Sequence, residues 1–205
     1  MVKIIGICGG SGSGKTTLLN RLKLALKDQE PTVVSMDNYY KPYEQQLRDE
    51  NGEVNFDLPT SLYEEKLVAD VMRLKQGEKV YLKEYQYNAS DEPPQEICLA
   101  PSKCIVVEGL FTLHYKALRE QLNYSVYVEL DKEEQLRRRI LRDVATRGYD
   151  EEMIKYQWKH HVEPCYAQFL QPYRSGADFV FHNDHRAEED FENLLRNLQR
   201  ELNFK

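Results

Sequence analysis

Eight consecutive residues, Gly9-Gly10-Ser11-Gly12-Ser13-Gly14-Lys15-Thr16, carry the most specific chemistry in the sequence. They satisfy G-x-x-x-x-G-K-[ST], a spacing that lets a glycine-rich backbone curl so that successive N–H groups point at phosphate oxygens. An apolar run from Val2 to Cys8 precedes the motif, and an amphipathic segment from Lys15 to about Asp28 follows it, with Leu18, Leu22, Ala25 and Leu26 on one face. A strand before and a helix after are the context in which this pattern binds phosphates. Lys15 would set a point charge on the β- and γ-phosphates, Thr16 would offer a hydroxyl to Mg²⁺, and the helix N-terminus would add a positive field. The ligand read from these residues is a purine nucleoside triphosphate, held by Gly9 through Thr16 and the adjoining Thr17.

A metal held by Thr16 needs an acid nearby. Cys104 to Val107 is a continuous apolar run that reads as a central parallel strand, and it ends at Glu108. A carboxylate is costly to bury without a partner, so Mg²⁺ or its water would account for Glu108. A second cluster, Arg137-Arg138-Arg139-Ile140-Leu141-Arg142-Asp143, runs on to Arg147-Gly148. At about 100° per residue, Leu136, Ile140 and Val144 share one helix face, while Arg138, Arg139 and Arg142 fall on a contiguous arc. Such an arc suits a transferring phosphoryl group; the competing reading is a solvated face paired with Glu133, Glu134 and Asp143. The chain lacks an [NT]KxD guanine-reading motif and a Leu-Ser-Gly-Gly transporter signature, which leaves small-molecule kinases as the compact class of this type.

The elements that must position these groups alternate. Strands are expected at 2–8, 32–36, 104–107, 125–130 and 179–182. Helices are expected at 15–28, 115–121, 132–146 and 151–169, with another opening at a capping box Ser61-Leu62-Tyr63-Glu64 and a last one carrying Leu194, Leu195, Leu198 and Leu202. Val80 to Tyr87 and Glu96 to Leu99 read as a two-stranded excursion around the polar tip Asn88 to Gln95. This alternation predicts a three-layer α/β fold with a mostly parallel sheet. The segment 38–60 is polar, rich in tyrosine and long for a connection, which points to function; Tyr39, Tyr40 and Tyr43 there could stack on a base or simply pack.

Composition bounds the rest. The chain has 205 residues, a length that fits one domain over 1–205. Its 28 basic and 34 acidic residues leave a net charge of −6, which disfavours a nucleic-acid binder. No apolar run reaches the ~20 residues of a membrane span, and the N-terminus lacks the features of a signal peptide, so a cytoplasmic protein is expected. Cys8, Cys98, Cys104 and Cys165 show no paired spacing and read as reduced thiols. His160, His161, His182 and His185 form no ligand pattern that supports zinc.

Together these residues resemble the uridine kinase family within the phosphoribulokinase/uridine kinase group of P-loop kinases, over Lys3 to about Asp178. Beyond the phosphate-binding loop the resemblance rests on Met36-Asp37-Asn38-Tyr39-Tyr40, Asn55-Phe56-Asp57-Leu58-Pro59, Val107-Glu108-Gly109, Arg138-Arg139-Ile140-Leu141-Arg142-Asp143 and Arg147-Gly148. It implies a P-loop kinase fold with a small hairpin excursion (80–99) and a helical lid over about 137–149. It gives Asp37 the role of base or orienter for an acceptor 5′-hydroxyl, with Lys15 and Arg142 as its catalytic companions. Asp57 and Arg139 would hold the ribose hydroxyls, Arg142 and Arg147 would cover the phosphates, and Thr16 with Glu108 would hold Mg²⁺. Tyr85 and Gln157 match base-contacting positions, and Tyr40 and Phe56 join the same substrate-binding set. The implied activity is Mg-ATP-dependent phosphorylation of a nucleoside 5′-hydroxyl, uridine or cytidine first. The family's base-reading His falls at Ser90 and an Arg falls at Tyr149, so other acceptors stay open: nicotinamide riboside, a sugar phosphate or pantothenate. A nucleotide-binding regulatory protein without transfer is the reading from another class. Related kinases are often homo-oligomers, but no interface is legible in the sequence.

Overall fold

The computed structural model describes residues 1–86 and 93–203. Five strands form one parallel sheet in the order β2-β5-β1-β6-β7: β1 Lys3–Gly9, β2 Thr32–Ser35, β5 Cys104–Glu108, β6 Tyr124–Glu129 and β7 Phe179–His182. A separate antiparallel pair, β3 Val80–Lys83 and β4 Glu96–Leu99, makes the excursion. Ser90 and residues 88–92 of the polar tip lie outside the described residues.

Both faces of the sheet are covered, which is why its strands read as near-continuous apolar runs. Ile5, Ile7, Val106, Val126 and Val128 pack on one side with Leu18 and Leu22 of α1 (Lys15–Ala25) and with Leu194, Leu198 and Leu202 of α7 (Ala187–Leu202). Ile4, Cys8, Ile105, Val107 and Tyr127 pack on the other side with Leu67, Val71 and Leu74 of α2 (Glu64–Lys75), Leu118 of α3 (Lys116–Arg119) and Cys165 and Leu170. The period-two alternation of strand side chains thus divides the core into two. The carboxyl ends of β1, β2 and β5 meet at one edge, where ligands of open α/β sheets bind.

Three local expectations are corrected. The capping box at Ser61 does not form: α2 begins at Glu64 behind Tyr63 with no side-chain cap, and the Ser61 hydroxyl instead donates to the Asn55 carbonyl at 3.1 Å. Leu62, inside the supposed first turn, is an extended bridge partner of Tyr40. The helix expected over 151–169 is α-helical only as α5 (Glu151–Gln157) and the short α6 (Glu163–Cys165), with wide π turns at Trp158–Val162 and Tyr166–Leu170. Pro164 explains the first: it has no N–H for the His160 carbonyl four residues back, and its ring crowds that carbonyl, so the run widens.

The third correction concerns α4 (Lys132–Arg147), capped by Asp131, whose side chain accepts from the Glu133 and Glu134 N–H groups. Its buried residues are Gln135, Arg139 and Asp143, a polar stripe. The apolar stripe Leu136, Ile140, Val144 is only partly covered, and Val144 is exposed. This helix faces a polar site rather than a hydrophobic core.

Candidate active site

The phosphate-binding loop lies between the end of β1 and the start of α1. Gly14 takes a left-handed φ of 94° as the residue capping α1, and no side chain bonds to the first N–H groups of that helix. Those N–H groups and the helix dipole are therefore available to an anion. Gly12, at φ 77°, passes so close to α4 that an added Cβ would strike the Gln135 carbonyl. Gln135 is pinned there by its own amide, which donates to the Leu130 carbonyl at 2.7 Å. Lys15 Nζ donates to the Gly9 and Gly10 carbonyls at 3.0 Å each, holding its charge against the loop.

The strand ends bring acids to this loop. Ser35 and Glu108 are register partners at the ends of β2 and β5, and the Ser35 hydroxyl donates to Glu108 Oε1 at 2.7 Å. Burial raises the Glu108 carboxyl above its ordinary range; Asp37 pushes the same way, while Lys15 and the Ser35 bond oppose. Asp37 sits in the 3₁₀ turn Met36–Tyr39 that follows β2. The turn is tied down on both sides: the Tyr39 hydroxyl donates to Asp70 at 3.2 Å, and the Tyr85 N–H donates to Asn38 at 3.1 Å.

Ser11, Gly12, Lys15, Thr16, Asp37 and Glu108 line one cleft, which holds about 910 Å³ of space and opens to solvent. The cleft continues past Asp37 along Tyr40, Phe56, Asp57, Tyr85, Arg139 and Gln157, and is covered by Arg142 and Arg147. Every expected substrate residue is therefore in it. Gly9, Gly10, Ser13 and Gly14 shape the loop behind the wall, and Thr17 is exposed on α1 outside the lining set. Tyr40 meets Phe56 edge-on at 6.0 Å and Tyr85 at 5.2 Å, forming an aromatic wall. Burial, with Tyr149 and Asp37 nearby, pushes the Tyr85 phenol up to about 12.

Arg139 ties the two ends together. Its guanidinium donates to Ser11 of the phosphate loop at 3.3 Å and to Gln157 Oε1 at 2.8 Å, and it stands 4.0 Å from Asp57. Asp143, 1% exposed, gathers three arginines: Arg142 at 2.7 Å, Arg147 at 3.3 Å and Arg139 at 3.4 Å. Three guanidiniums are thus gathered at the cleft, where cationic side chains suit a polyphosphate. The arc expected of Arg138, Arg139 and Arg142 splits: Arg138 binds Glu134 at 2.8 Å and is not among the lining residues.

Thr16, Glu108 and Asp37 supply only oxygen donors, the set that Mg²⁺ prefers, and Mg²⁺ normally takes one or two protein ligands besides phosphate and water. Among the described residues no group of three His, Cys, Asp or Glu side chains could hold a metal unaided. Val54, Leu110, Tyr149 and His161 also line the cleft. Tyr149 stands out in the sequence only as a departure from the family pattern, and nothing in the sequence pattern signals Val54 or His161.

The model of the Phosphoribulokinase / Uridine kinase family matches residues 4–188. The chain belongs to that family. The uridine kinases of Staphylococcus haemolyticus (strain JCSC1435) and Staphylococcus aureus (strain JH9) are 33% and 34% identical to it over 177 residues, covering 86% of each chain. Among solved structures, a possible uridine kinase from Bacillus stearothermophilus superposes with a TM-score of 0.63 at 21% identity, covering 88% of both chains. Phosphoribulokinase from Rhodobacter spheroides superposes at 0.67 and 15% identity, covering 88% of this chain and 70% of that one. As a member of the phosphoribulokinase/uridine kinase family, the protein is an ATP-dependent kinase of small molecules on a P-loop fold. Among the described residues no helix is long and apolar enough to cross a membrane.

Proposed function

We propose that this kinase transfers the γ-phosphoryl group of ATP to the 5′-hydroxyl of a nucleoside, uridine or cytidine first. The observation that carries the proposal is the continuity of one cleft from the phosphate loop through Asp37 to an aromatic wall beside Asp57, Arg139 and Gln157. A flat base suits the Tyr40–Phe56–Tyr85 wall. A cis-diol suits a carboxylate and a guanidinium 4.0 Å apart, because each hydroxyl can donate to Asp57 and accept from Arg139. Neither feature has a use for pantothenate.

In this reading Lys15 exchanges its two loop carbonyls for phosphate oxygens, and the N–H groups at the start of α1 donate to the rest of the polyphosphate. Thr16 and Glu108 would hold Mg²⁺, which would neutralise charge on the β- and γ-phosphates. Asp37 orients the 5′-hydroxyl and takes its proton as the new P–O bond forms and the bond to the ADP oxygen breaks. The transition state is loose, so positioning matters more than basicity. Arg142 and Arg147 bear on the transferring group from α4, with Asp143 behind them.

The test is a phosphorylation panel with Mg-ATP: uridine, cytidine, other nucleosides, nicotinamide riboside, ribulose 5-phosphate and pantothenate. Turnover of a pyrimidine nucleoside above the others supports the proposal, and turnover of ribulose 5-phosphate or pantothenate alone overturns it.

A further inference from the structure

We infer that His161, held in place by Asp49, reads the edge of the base carried by the acceptor ribose. This inference rests on the nucleoside reading and deepens it. It also assigns a hydrogen-bonding role to a side chain on the helical run after α4.

A polar strip along the cleft carries the argument. Asp57 faces Arg139 at 4.0 Å, and Arg139 donates to Gln157 at 2.8 Å. His161 follows four residues later on the same helical run and also lines the cleft. A ribose seated on Asp57 and Arg139 leads its base along this strip, to Gln157 and then to His161, with Tyr40, Phe56 and Tyr85 available to its flat faces. The wide turn Trp158–Val162, imposed by Pro164, is the part of the run that carries His161.

The imidazole is fixed rather than adaptable. Its side chain is 1% exposed, and Nε2 lies 2.7 Å from Asp49 Oδ2. Asp49 is fully engaged in turn: the Tyr156 hydroxyl donates to it at 2.6 Å, and the Asn51 and Glu53 N–H groups donate at 2.9 Å each. These donors, Tyr156 first, hold the Asp49 carboxyl far below its ordinary range. An ionised carboxylate needs a donor, so the Nε2 proton points to Asp49. In the neutral ring this leaves Nδ1 as a hydrogen-bond acceptor. The complementary ligand group is a hydrogen on nitrogen in the base plane: the N3–H of uridine or the 4-amino group of cytidine. A histidine that only fastened the 46–54 segment to the helix would need the same Asp49 contact but no place in the cleft wall.

The experiment compares cytidine with its 4-deamino analogue, which lacks that hydrogen without added bulk. The ratio of kcat/KM within the pair is measured for the wild-type chain, His161→Phe and Asp49→Asn, and folding is checked by thermal melting with and without Mg-ADP. We expect His161→Phe to reduce the ratio about tenfold, the effect of one neutral hydrogen bond, and Asp49→Asn to reduce it in the same direction. Should His161→Phe fail to fold, His161→Gln replaces it. A parallel fall of both members of the pair, with the ratio unmoved, assigns His161 a structural role and overturns the inference. Absence of nucleoside turnover by the wild-type chain overturns the reading beneath it, a failure the variants do not enter.

Discussion

Asp143→Asn isolates the charge that holds the arginines over the cleft. The substitution keeps the shape of a side chain that is 1% exposed and removes the carboxylate that Arg139, Arg142 and Arg147 share. At an effective dielectric near 20, two unit charges about 4 Å apart attract by on the order of 4 kcal/mol, and these three contacts are closer still. Solvent discounts that for Arg142, which is 42% exposed, and least for Arg139, which is 9% exposed. Mutual repulsion of the three cations offsets more of it. Removing one partner from such a buried set costs about 3 kcal/mol, the lower end of the range for broken buried ion pairs. For a chain of this size that is a fall in Tm of about 6–12 °C. A bound polyphosphate supplies the missing negative charge, so the loss should shrink to half or less with a saturating non-hydrolysable ATP analogue and Mg²⁺. The assay is thermal or urea unfolding of both proteins with and without the analogue. An equal loss in both conditions, or a loss under about 1 kcal/mol without nucleotide, refutes the assignment of Asp143 as the counter-charge of the lid arginines.

Asp37→Ala should lower kcat by about 10²–10⁴-fold, the usual contribution of a positioned acid–base group, with ATP binding retained in a fluorescence titration. Lys15→Ala should weaken nucleotide binding and turnover together, and an intact ATP affinity in the same titration would count against the loop contacts. Gly12→Ala should destabilise the protein and cut ATP affinity, because the left-handed backbone and the Gln135 carbonyl both oppose a Cβ; unfolding and binding curves check it. His114 is partly buried beside Arg119, its Nδ1 has no partner, and its pKa is lowered from 6.5. The unfolded chain therefore binds the proton more readily, so stability should decline as pH falls below about 6.5. In His114→Phe that decline should be shallower in unfolding curves between pH 7 and 5.

The phosphate site was legible because its determinants are local. Glycines, lysine and threonine at fixed spacing between an apolar run and an amphipathic one define strand, loop and helix at once. Glu108 was legible as an acid ending a buried run and Asp37 through the family resemblance, and the structure places both in the cleft. In helix α4 the arginine arc was legible for Arg139 and Arg142, which line the cleft, while Arg138 turns to Glu134, and the burial of Gln135, Arg139 and Asp143 could not be read from the apolar stripe. Ser61 was misread because a long-range bridge between Tyr40 and Leu62 outweighs a local capping pattern. His161 and Asp49 lie 112 residues apart, and no periodicity links them.

The most direct test of the central claim is the rate of phosphorylation of uridine and cytidine by the purified chain with Mg-ATP, beside Asp37→Ala. The account predicts formation of the nucleoside 5′-monophosphate by the wild-type protein and its near loss in the variant. Mg-ATP hydrolysis without phosphorylated acceptor, or a rate that Asp37→Ala leaves intact, would contradict it.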